Sequence, residues 1–412
     1  MFARHIKPLL FLSVATAGLT FLSGCGEEDT LEPNPLPIIE ETKVNYDAKW
    51  SVSYGEGQGE RFLKLRPGVG YSKIYIADVS GVLKALDPEN GEVIWRATVN
   101  EPISAGVAVA NRLAVIGTRE GEVIAFDVES GELKWQSQVS SEVIASPAVG
   151  DGFVVVNTVD GNVVALDAES GERKWFYDRN LPPLTLRGTS SPVIAHGAAI
   201  AGFANGKVGV FILESGQLAW EKQVTAPSGR SDLERLVDVD AQPIVFGPTL
   251  YASSYNGNLM ALELQSGEPV WSRELSSYLD MGIDNQTLLV THDNGYVSSL
   301  NRNNGSLLWT QKALFLRDTT SPAAFNDHIV VGDQGGYLHM LDKSDGSLIG
   351  QLNINQNINY SDCYYSDEAC RFHNHDEYGV ASSPVVVDDL LLVQTKNGHL
   401  IAYQQRKSEK KQ

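Results

Sequence analysis

Basic residues, cysteine and long apolar runs are all scarce in this chain. Its 32 lysines and arginines are outnumbered by 51 aspartates and glutamates, so the formal net charge is −19. This acidity argues against a nucleic-acid partner and favours solubility. After residue 25 no apolar stretch is long enough to cross a membrane. Only three cysteines occur, and two of them fall in one short segment near the C-terminus.

The N-terminus predicts a signal peptide, residues 1–24, followed by a lipid attachment site at Cys25. Arg4 and Lys7 precede an apolar run that ends in Leu-Ser-Gly-Cys25. This ending resembles the bacterial lipoprotein motif, which implies cleavage before Cys25 and acylation of that residue; the alternative is an ordinary secretory signal. Because Gly26 follows and not aspartate, analogy with lipoprotein sorting in Gram-negative bacteria favours the outer membrane. Residues 25–42, acidic and proline-containing, predict a flexible tether.

A repeat with a period near 40 residues sets the architecture. The segment DVESGELKW (residues 127–135) returns as DAESGERKW (residues 167–175), and looser copies follow the same pattern. A turn glycine and a short apolar strand precede each copy. The period and the hairpins predict a β-propeller. Eight units are marked by the turn glycines Gly81, Gly121, Gly161, Gly206, Gly257, Gly295, Gly336 and Gly398.

Each unit reads as four antiparallel strands. Asp160-Gly161 is a strong hairpin signal because glycine tolerates the positive φ of a tight turn. Proline is tolerated at the first position of a strand but not in its middle. Six units carry a proline 14 residues before the turn glycine, which predicts the start of the innermost strand: Pro67, Pro147, Pro192, Pro243, Pro322 and Pro384.

The two chain ends predict how the ring closes. The eighth hairpin, residues 397–403, runs into the polar tail 406–412 without an outer strand. Residues 48–53, which include Trp50, resemble an outer strand that lacks its own hairpin. We therefore predict an all-β, eight-bladed propeller over residues 43–405, closed by the N-terminal strand joining the last blade. A seven-bladed ring would leave one hairpin unexplained.

Three connections are longer than the period requires: residues 181–189, 225–240 and 353–378. Each joins the outer strand of one blade to the inner strand of the next, so all three are predicted on one face. Insertions confined to one face of a repeat array usually mark its binding surface.

The first two insertions predict a protein-docking surface. The first contains Leu184, Leu186 and Arg187, and the second contains Asp238 and Asp240. Apolar side chains and an arginine beside carboxylates are typical of protein interfaces. In the alternative reading, the leucines tuck under their own loops and Arg187 pairs with either aspartate.

Cys363 and Cys370 lie in the third insertion, together with His373 and His375. In an oxidising periplasm the pair predicts a disulfide. The alternatives are free thiols or a four-ligand metal site, although the cysteine spacing is irregular for zinc.

The repeat resembles the quinoprotein-like propeller superfamily, and the lipoprotein motif, the length and the two loop segments resemble the BamB family. Members of that family belong to the outer-membrane β-barrel assembly machinery. The resemblance implies a non-enzymatic periplasmic scaffold without cofactor or metal, lipid-anchored at the outer membrane. It also implies that the periplasmic POTRA domains of BamA are the partner, and suggests nascent outer-membrane proteins as a second one.

The site residues implied by the resemblance are those of the two loops. Leu184, Leu186 and Arg187 match the family's BamA-contacting loop, and Asp238 and Asp240 match its second, acidic contact. The competing hypothesis is a PQQ-type quinoprotein dehydrogenase, built from the same repeats. Many of those enzymes carry an adjacent Cys-Cys pair, which this sequence lacks. A third hypothesis is an envelope-anchored propeller that binds a polysaccharide or another envelope protein.

Overall fold

The computed structural model describes residues 31–58, 63–186, 188, 190–357 and 379–406. They form 33 β-strands and a single turn of 3-10 helix. No helix in these ranges is long and apolar enough to span a membrane. The compact unit that contains the strands begins at Pro33, upstream of residue 43, where the sequence places the start of the propeller. Cys25 lies outside the described residues.

The strands are short and evenly spaced along the chain. The turn of 3-10 helix, Ile354–Asn357, follows the thirtieth strand. In chain order the strands are β1 (Tyr46–Ser53), β2 (Lys64–Leu65), β3 (Gly68–Gly70), β4 (Lys73–Ala77), β5 (Val82–Leu86), β6 (Val93–Thr98), β7 (Ile103–Ala110), β8 (Leu113–Thr118), β9 (Glu122–Asp127), β10 (Leu133–Gln138), β11 (Ala148–Gly150), β12 (Phe153–Asn157), β13 (Val163–Asp167), β14 (Arg173–Tyr177), β15 (Val193–Ala195), β16 (Ala198–Phe203), β17 (Lys207–Ile212), β18 (Leu218–Gln223), β19 (Ile244–Phe246), β20 (Thr249–Ser253), β21 (Asn258–Glu263), β22 (Pro269–Glu274), β23 (Gly282–Ile283), β24 (Thr287–Thr291), β25 (Val297–Asn301), β26 (Leu307–Gln311), β27 (Ala323–Phe325), β28 (His328–Gly332), β29 (Tyr337–Asp342), β30 (Leu348–Asn353), β31 (Val385–Val387), β32 (Leu390–Gln394) and β33 (His399–Gln405).

These strands form eight sheets, which confirms the predicted eight-bladed propeller. Blades 1 to 7 are the consecutive meanders β3–β6, β7–β10, β11–β14, β15–β18, β19–β22, β23–β26 and β27–β30. Blade 8 has the order β31-β32-β33-β1. All pairs within these meanders are antiparallel, and β2 adds to the inner edge of blade 2 as a parallel strand.

Proline marks where each inner strand begins, as the sequence predicts. In six blades the inner strand starts one residue after the proline. Proline cannot donate a ladder hydrogen bond, so it stands just outside the pairing. The strands concerned are β3, β11, β15, β19, β27 and β31.

The N-terminal strand closes the ring, as predicted. Strand β1 pairs antiparallel with β33 from Tyr46 opposite Gln405 to Ser53 opposite His399. Strand β1 therefore serves as the outer strand of blade 8, and the first and last strands of the fold share one sheet.

Tryptophans on the outer strands join successive blades. Trp135 lies on the outer strand of blade 2, and its indole packs over Gly171 of blade 3. A Cβ on Gly171 would lie 2.6 Å from the indole ring. Every tryptophan of the chain also donates its indole N–H to a backbone carbonyl of the next blade, at 2.7–3.0 Å. Seven seams are built in this way, by Trp50 with Gly91, Trp95 with Gly131, Trp135 with Gly171, Trp175 with Gly216, Trp220 with Gly267, Trp271 with Gly305 and Trp309 with Gly346.

Because each blade is a four-stranded meander, its connections alternate between two faces. The face that carries the links between blades, including residues 178–192 and 224–243, also carries the turns between the two middle strands. We call it the insertion face. The other face, which carries turns such as residues 127–133 and 284–287, is the opposite face.

The tryptophan–glycine seam generates a stability prediction. Gly171→Ala and Gly152→Ala both place a side chain at positive φ, +74° and +81°, but nothing lies within 4 Å of a Cβ at Gly152. The shared conformational cost is about 1 kcal/mol. We expect Gly171→Ala to lose a further ~1–3 kcal/mol of unfolding free energy because its methyl group overlaps the Trp135 ring. Denaturant unfolding of both variants measures the difference, and equal losses would contradict the seam's importance.

Candidate functional site

The site is built from two connections on the insertion face. Residues 178–192 link β14 to β15, and residues 224–243 link β18 to β19. They follow blades 3 and 4, so they are neighbours around the ring. The third insertion links β30 to β31, and its residues 358–378, with Cys363 and Cys370, lie outside the described residues.

The two connections touch through backbone and carboxylate groups. The Leu186 N–H donates to Asp238 Oδ2 at 2.7 Å. A Cβ on Gly188 would collide with the carboxylate of Asp240, so only glycine permits this close approach. The Ser190 hydroxyl donates to the carbonyl of Ala241 at 3.0 Å. The second connection therefore supports the first between residues 186 and 190.

Both aspartates are buried, which their sequence pattern does not indicate. Asp238 has no exposed surface and Asp240 is 5% exposed. Asp238 Oδ1 has no hydrogen-bond partner within the described ranges. Burial, reinforced by the nearby charge of Asp240, raises the pKa of Asp238 to about 7, although the bond from Leu186 opposes the shift. Asp238 thus lies beneath the first connection, where it can hold the backbone of that connection in place. It is not part of the exposed surface that a partner would contact.

The leucines, by contrast, face solvent. Leu184 is 43% exposed and Leu186 is 37% exposed, so neither is tucked under its own loop. Leu181 and Leu233, which the sequence pattern does not single out as contact residues, are exposed as well. Several exposed leucines on two neighbouring connections offer apolar surface of the kind that marks protein-binding sites when it is contiguous. Arg187 lies outside the described residues.

The base of the first connection is held by ionic and aromatic contacts. The Arg179 guanidinium pairs with Glu221, which also accepts a 2.6 Å bond from Lys207. The same guanidinium lies 4.1 Å above the ring of Phe203. These contacts fix where the connection leaves β14.

Leu233 is presented by a capped turn. The Glu234 N–H donates to the Ser231 hydroxyl at 3.2 Å, and Glu234 accepts a bond from the Ser231 N–H. The Asn256 amide donates to the Glu234 carbonyl at 2.8 Å. Ser231-Asp-Leu-Glu234 is a capping-box pattern, so this signal in the sequence could have identified Leu233.

The hub at the insertion face is crossed by the chain itself. Strand β2 pairs with the inner strand of blade 2, and Arg66 follows it. The Arg66 side chain reaches Gln242 at 3.0 Å and Asp280 at 3.5 Å, at the starts of blades 5 and 6. A cavity of about 280 Å³ remains beside Arg66, lined by apolar residues such as Leu63 and Val380 and by polar ones such as Gln58 and Lys396.

Comparisons with known proteins agree on one family. A family model described as "Outer membrane protein assembly factor BamB" matches residues 79–311 and 281–411. The chain is 43% identical over 382 residues to the protein of that name from Kangiella koreensis, covering 93% of each chain. It resembles the crystal structure of BamB from Moraxella catarrhalis, with a TM-score of 0.75 and 24% identity over 87% of this chain and all of that one.

The fold is also shared with enzymes. The quinohemoprotein alcohol dehydrogenase from Comamonas testosteroni matches with a TM-score of 0.67 and 12% identity, covering 87% of this chain and 76% of that one. At such low identity the likeness concerns the fold alone.

The buried Asp238 carboxyl generates a pH prediction. In the unfolded chain this carboxyl has its ordinary pKa of 3.8, and in the native protein its pKa is about 7. Between these values the native protein holds a proton that the unfolded chain has lost, so this group lowers stability as pH rises from 4 to 7. Asp238→Asn removes the ionisation and should gain up to about 4 kcal/mol over the wild type across that interval, with no further gain above pH 7.

The measurement is denaturant unfolding of both proteins from pH 4 to 8. Asp232→Asn, an exposed change in the same connection, is the matched control and should leave the difference from wild type independent of pH. A constant difference for Asp238→Asn would contradict the assigned pKa.

Proposed function

Because the chain belongs to the BamB family of outer membrane protein assembly factors, we propose that it acts as a scaffold subunit of the β-barrel assembly machinery. As a scaffold, the protein would bind a partner subunit and position it for the folding and insertion of outer-membrane proteins. The propeller supplies a rigid ring, and the two supported connections on the insertion face supply the contact.

The observation that carries this proposal is the pairing of exposed leucines with buried carboxylates. Leu184 and Leu186 remain exposed because Asp238 holds the backbone of Leu186 from beneath. A loop that is ordered before binding loses less conformational entropy on association, so its apolar contacts yield more affinity.

The partner is proposed to be the periplasmic POTRA region of BamA. Leu184 and Leu186 are the apolar anchors of this contact, and Arg187 adds charged hydrogen bonds. Asp238 and Asp240 are positioning residues that act through the first connection. Nascent outer-membrane proteins are a second proposed partner, by strand addition to outer strands that expose apolar side chains, such as Leu307 and Leu308 on β26.

Anchoring is proposed to occur through lipidated Cys25 in the periplasmic leaflet of the outer membrane. The lipoprotein motif that ends in Cys25 supports this attachment. The several acyl chains that such a motif implies would make a stable anchor. The disulfide between Cys363 and Cys370 is likewise proposed from the sequence.

The role is proposed to be non-enzymatic, and the hub supports this. The residues there do not fit a quinone cofactor: β2 and Arg66 cross the region, with Arg66 bonded to Gln242. All seven tryptophans lie on outer strands, so none is available at the axis to stack on a flat cofactor.

The partner contact generates a binding prediction. The double variant Leu184→Ser, Leu186→Ser should weaken binding to purified BamA periplasmic domains by at least about tenfold, because apolar anchors at an interface centre carry more than 1 kcal/mol each. Binding is measured by titration calorimetry or surface capture. Unfolding midpoints should stay unchanged, since both side chains are already exposed.

The matched control is Leu307→Ser, Leu308→Ser, two leucines on β26 that are also exposed, at 60% and 51%. It should retain full affinity for BamA. Undiminished binding by the Leu184/Leu186 variant would reject the site. Absence of any BamA binding by the wild type would instead favour an envelope-anchored propeller with another partner.

The hub generates a cofactor prediction. Incubation of the purified protein with pyrroloquinoline quinone and Ca²⁺, followed by gel filtration, should leave no quinone absorbance on the protein and no dye-reducing activity with alcohols. Stoichiometric retention of the quinone would overturn the non-enzymatic assignment.

A further inference from the structure

The segment before β1 is attached to the propeller at Asn34. The Asn34 N–H donates to the Phe315 carbonyl at 3.0 Å, and its amide donates to the carbonyls of Lys312 and Ala313 at 3.2 and 3.3 Å. The Asn34 carbonyl accepts a bond from Arg317 Nη1 at 3.0 Å. Its partners belong to the link from blade 6 to blade 7, so Asn34 is held on the insertion face.

Arg317 is itself fixed from below. Its Nε and Nη2 donate to Asp333 Oδ2 at 2.8 and 2.7 Å. Asp333 is fully buried and also bonds His339 and the Tyr337 N–H, each at 2.9 Å. A buried, fully bonded carboxylate holds the guanidinium that receives the segment.

The same segment is attached again near the opposite face. The N–H groups of Lys43 and Val44 donate to the Ile349 carbonyl at 2.7 and 3.2 Å, near the start of β30. Val44 packs against the core between blades 7 and 8. Residues 33–44 therefore cross the height of blade 7, and we call them the strap.

Gly350 shows that the fold is adapted to the strap. It stands where the other outer strands carry tryptophan, and a Cβ there would lie 2.5 Å from the Val44 carbonyl oxygen. Blade 8 has no turn between its two outer strands, because β33 and β1 come from opposite chain ends. A tryptophan at position 350 would therefore have no turn glycine on blade 8 to pack against. The strap occupies the space that such a tryptophan would fill.

We propose that the strap fixes the direction of membrane attachment, so that a lipid bilayer lies against the insertion face beside blades 6 and 7. This inference rests on the lipid anchor proposed above. With the strap docked, the chain leaves the propeller at Asn34 on the insertion face. Without it, the first fixed residue is Tyr46, which starts β1 at the opposite face.

Chain length makes this difference large. Cys25 is nine residues from Asn34 and 21 from Tyr46. At about 3.4 Å per residue these steps span at most ~30 Å and ~70 Å. Strands of this length separate the two faces by about 20 Å. A flexible link of nine residues averages only about 15–18 Å end to end, whereas one of 21 residues averages about 23–27 Å. The docked strap therefore favours the insertion face at the bilayer, because the opposite face reaches it only when the short link is almost fully extended, and a released strap permits either face to approach.

The test uses the lipidated full-length mature protein in vesicles of phosphatidylethanolamine and phosphatidylglycerol that contain an energy-acceptor lipid. A genetically encoded fluorescent residue replaces Asp293 on the insertion face or Asn304 on the opposite face, both exposed turn residues of blade 6. We expect severalfold more efficient energy transfer from position 293 than from position 304.

Two variants release the strap by independent means. Asn34→Asp removes the amide donors and places a carboxylate against two carbonyls, and Gly350→Trp displaces Val44 while leaving Arg317 and Asp333 intact. Either should reduce the ratio between the two label positions toward one. Asn285→Asp, an exposed change on the opposite face, is the matched control and should preserve the ratio.

The outcomes separate the proposals. Equal transfer from both positions in the wild type overturns the orientation, and an unchanged ratio in both variants overturns the strap's role. Failure of the wild type to bind vesicles overturns the lipid anchor and this inference with it. Loss of BamA binding by the Leu184/Leu186 variant is measured without membranes, so that proposal stands or falls separately.

Discussion

The contact between an outer-strand tryptophan and the turn glycine of the next blade is the constraint on which the ring depends. It combines a large buried aromatic surface with an indole hydrogen bond to a carbonyl. Since each contact joins only neighbouring blades, the ring needs one at every seam. Trp50 on β1 supplies the contact between blades 8 and 1. The seam between blades 7 and 8 alone lacks it, and there Gly350 and the strap take over.

A ring fixed in this way can carry costly features on its insertion face. Asp238 is buried, one of its oxygens has no hydrogen-bond partner among the residues that the structure describes, and burial raises its pKa. Such a group lowers stability at neutral pH, yet it orders the connection that exposes Leu184 and Leu186. Structures that violate local rules at a few positions usually do so where they function. The tryptophan–glycine seams stabilise the ring and so offset the loss of stability that the buried Asp238 causes.

The sequence predicts the blades well because their signals are local and repeated. Turn glycines and the prolines one residue before the inner strands each act within a few residues. Trp50 carries the same outer-strand signal as the other tryptophans, although its partner strand β33 lies at the other end of the chain. The burial of Asp238 is different, since it depends on Leu186, 52 positions away. The docking of Asn34 depends on Arg317, 283 positions away. The acidic, proline-containing composition of residues 25–42 predicts a flexible tether, whereas Asn34 is bonded to the propeller. In the sequence only Gly350, which stands where the other outer strands carry tryptophan, indicates the strap.

The strap and the leucine loops emerge on one face, which has a mechanical consequence. Under the proposed function, a lipid anchor beside blades 6 and 7 and a partner beside blades 3 to 5 would act on the same side of a rigid ring. The propeller would then hold its partner close to the bilayer, on a link of nine residues instead of 21. A short link confines the partner to a small volume and raises its effective concentration there. The apolar outer strands, including Leu307 and Leu308, lie on the rim and stay accessible to a third component.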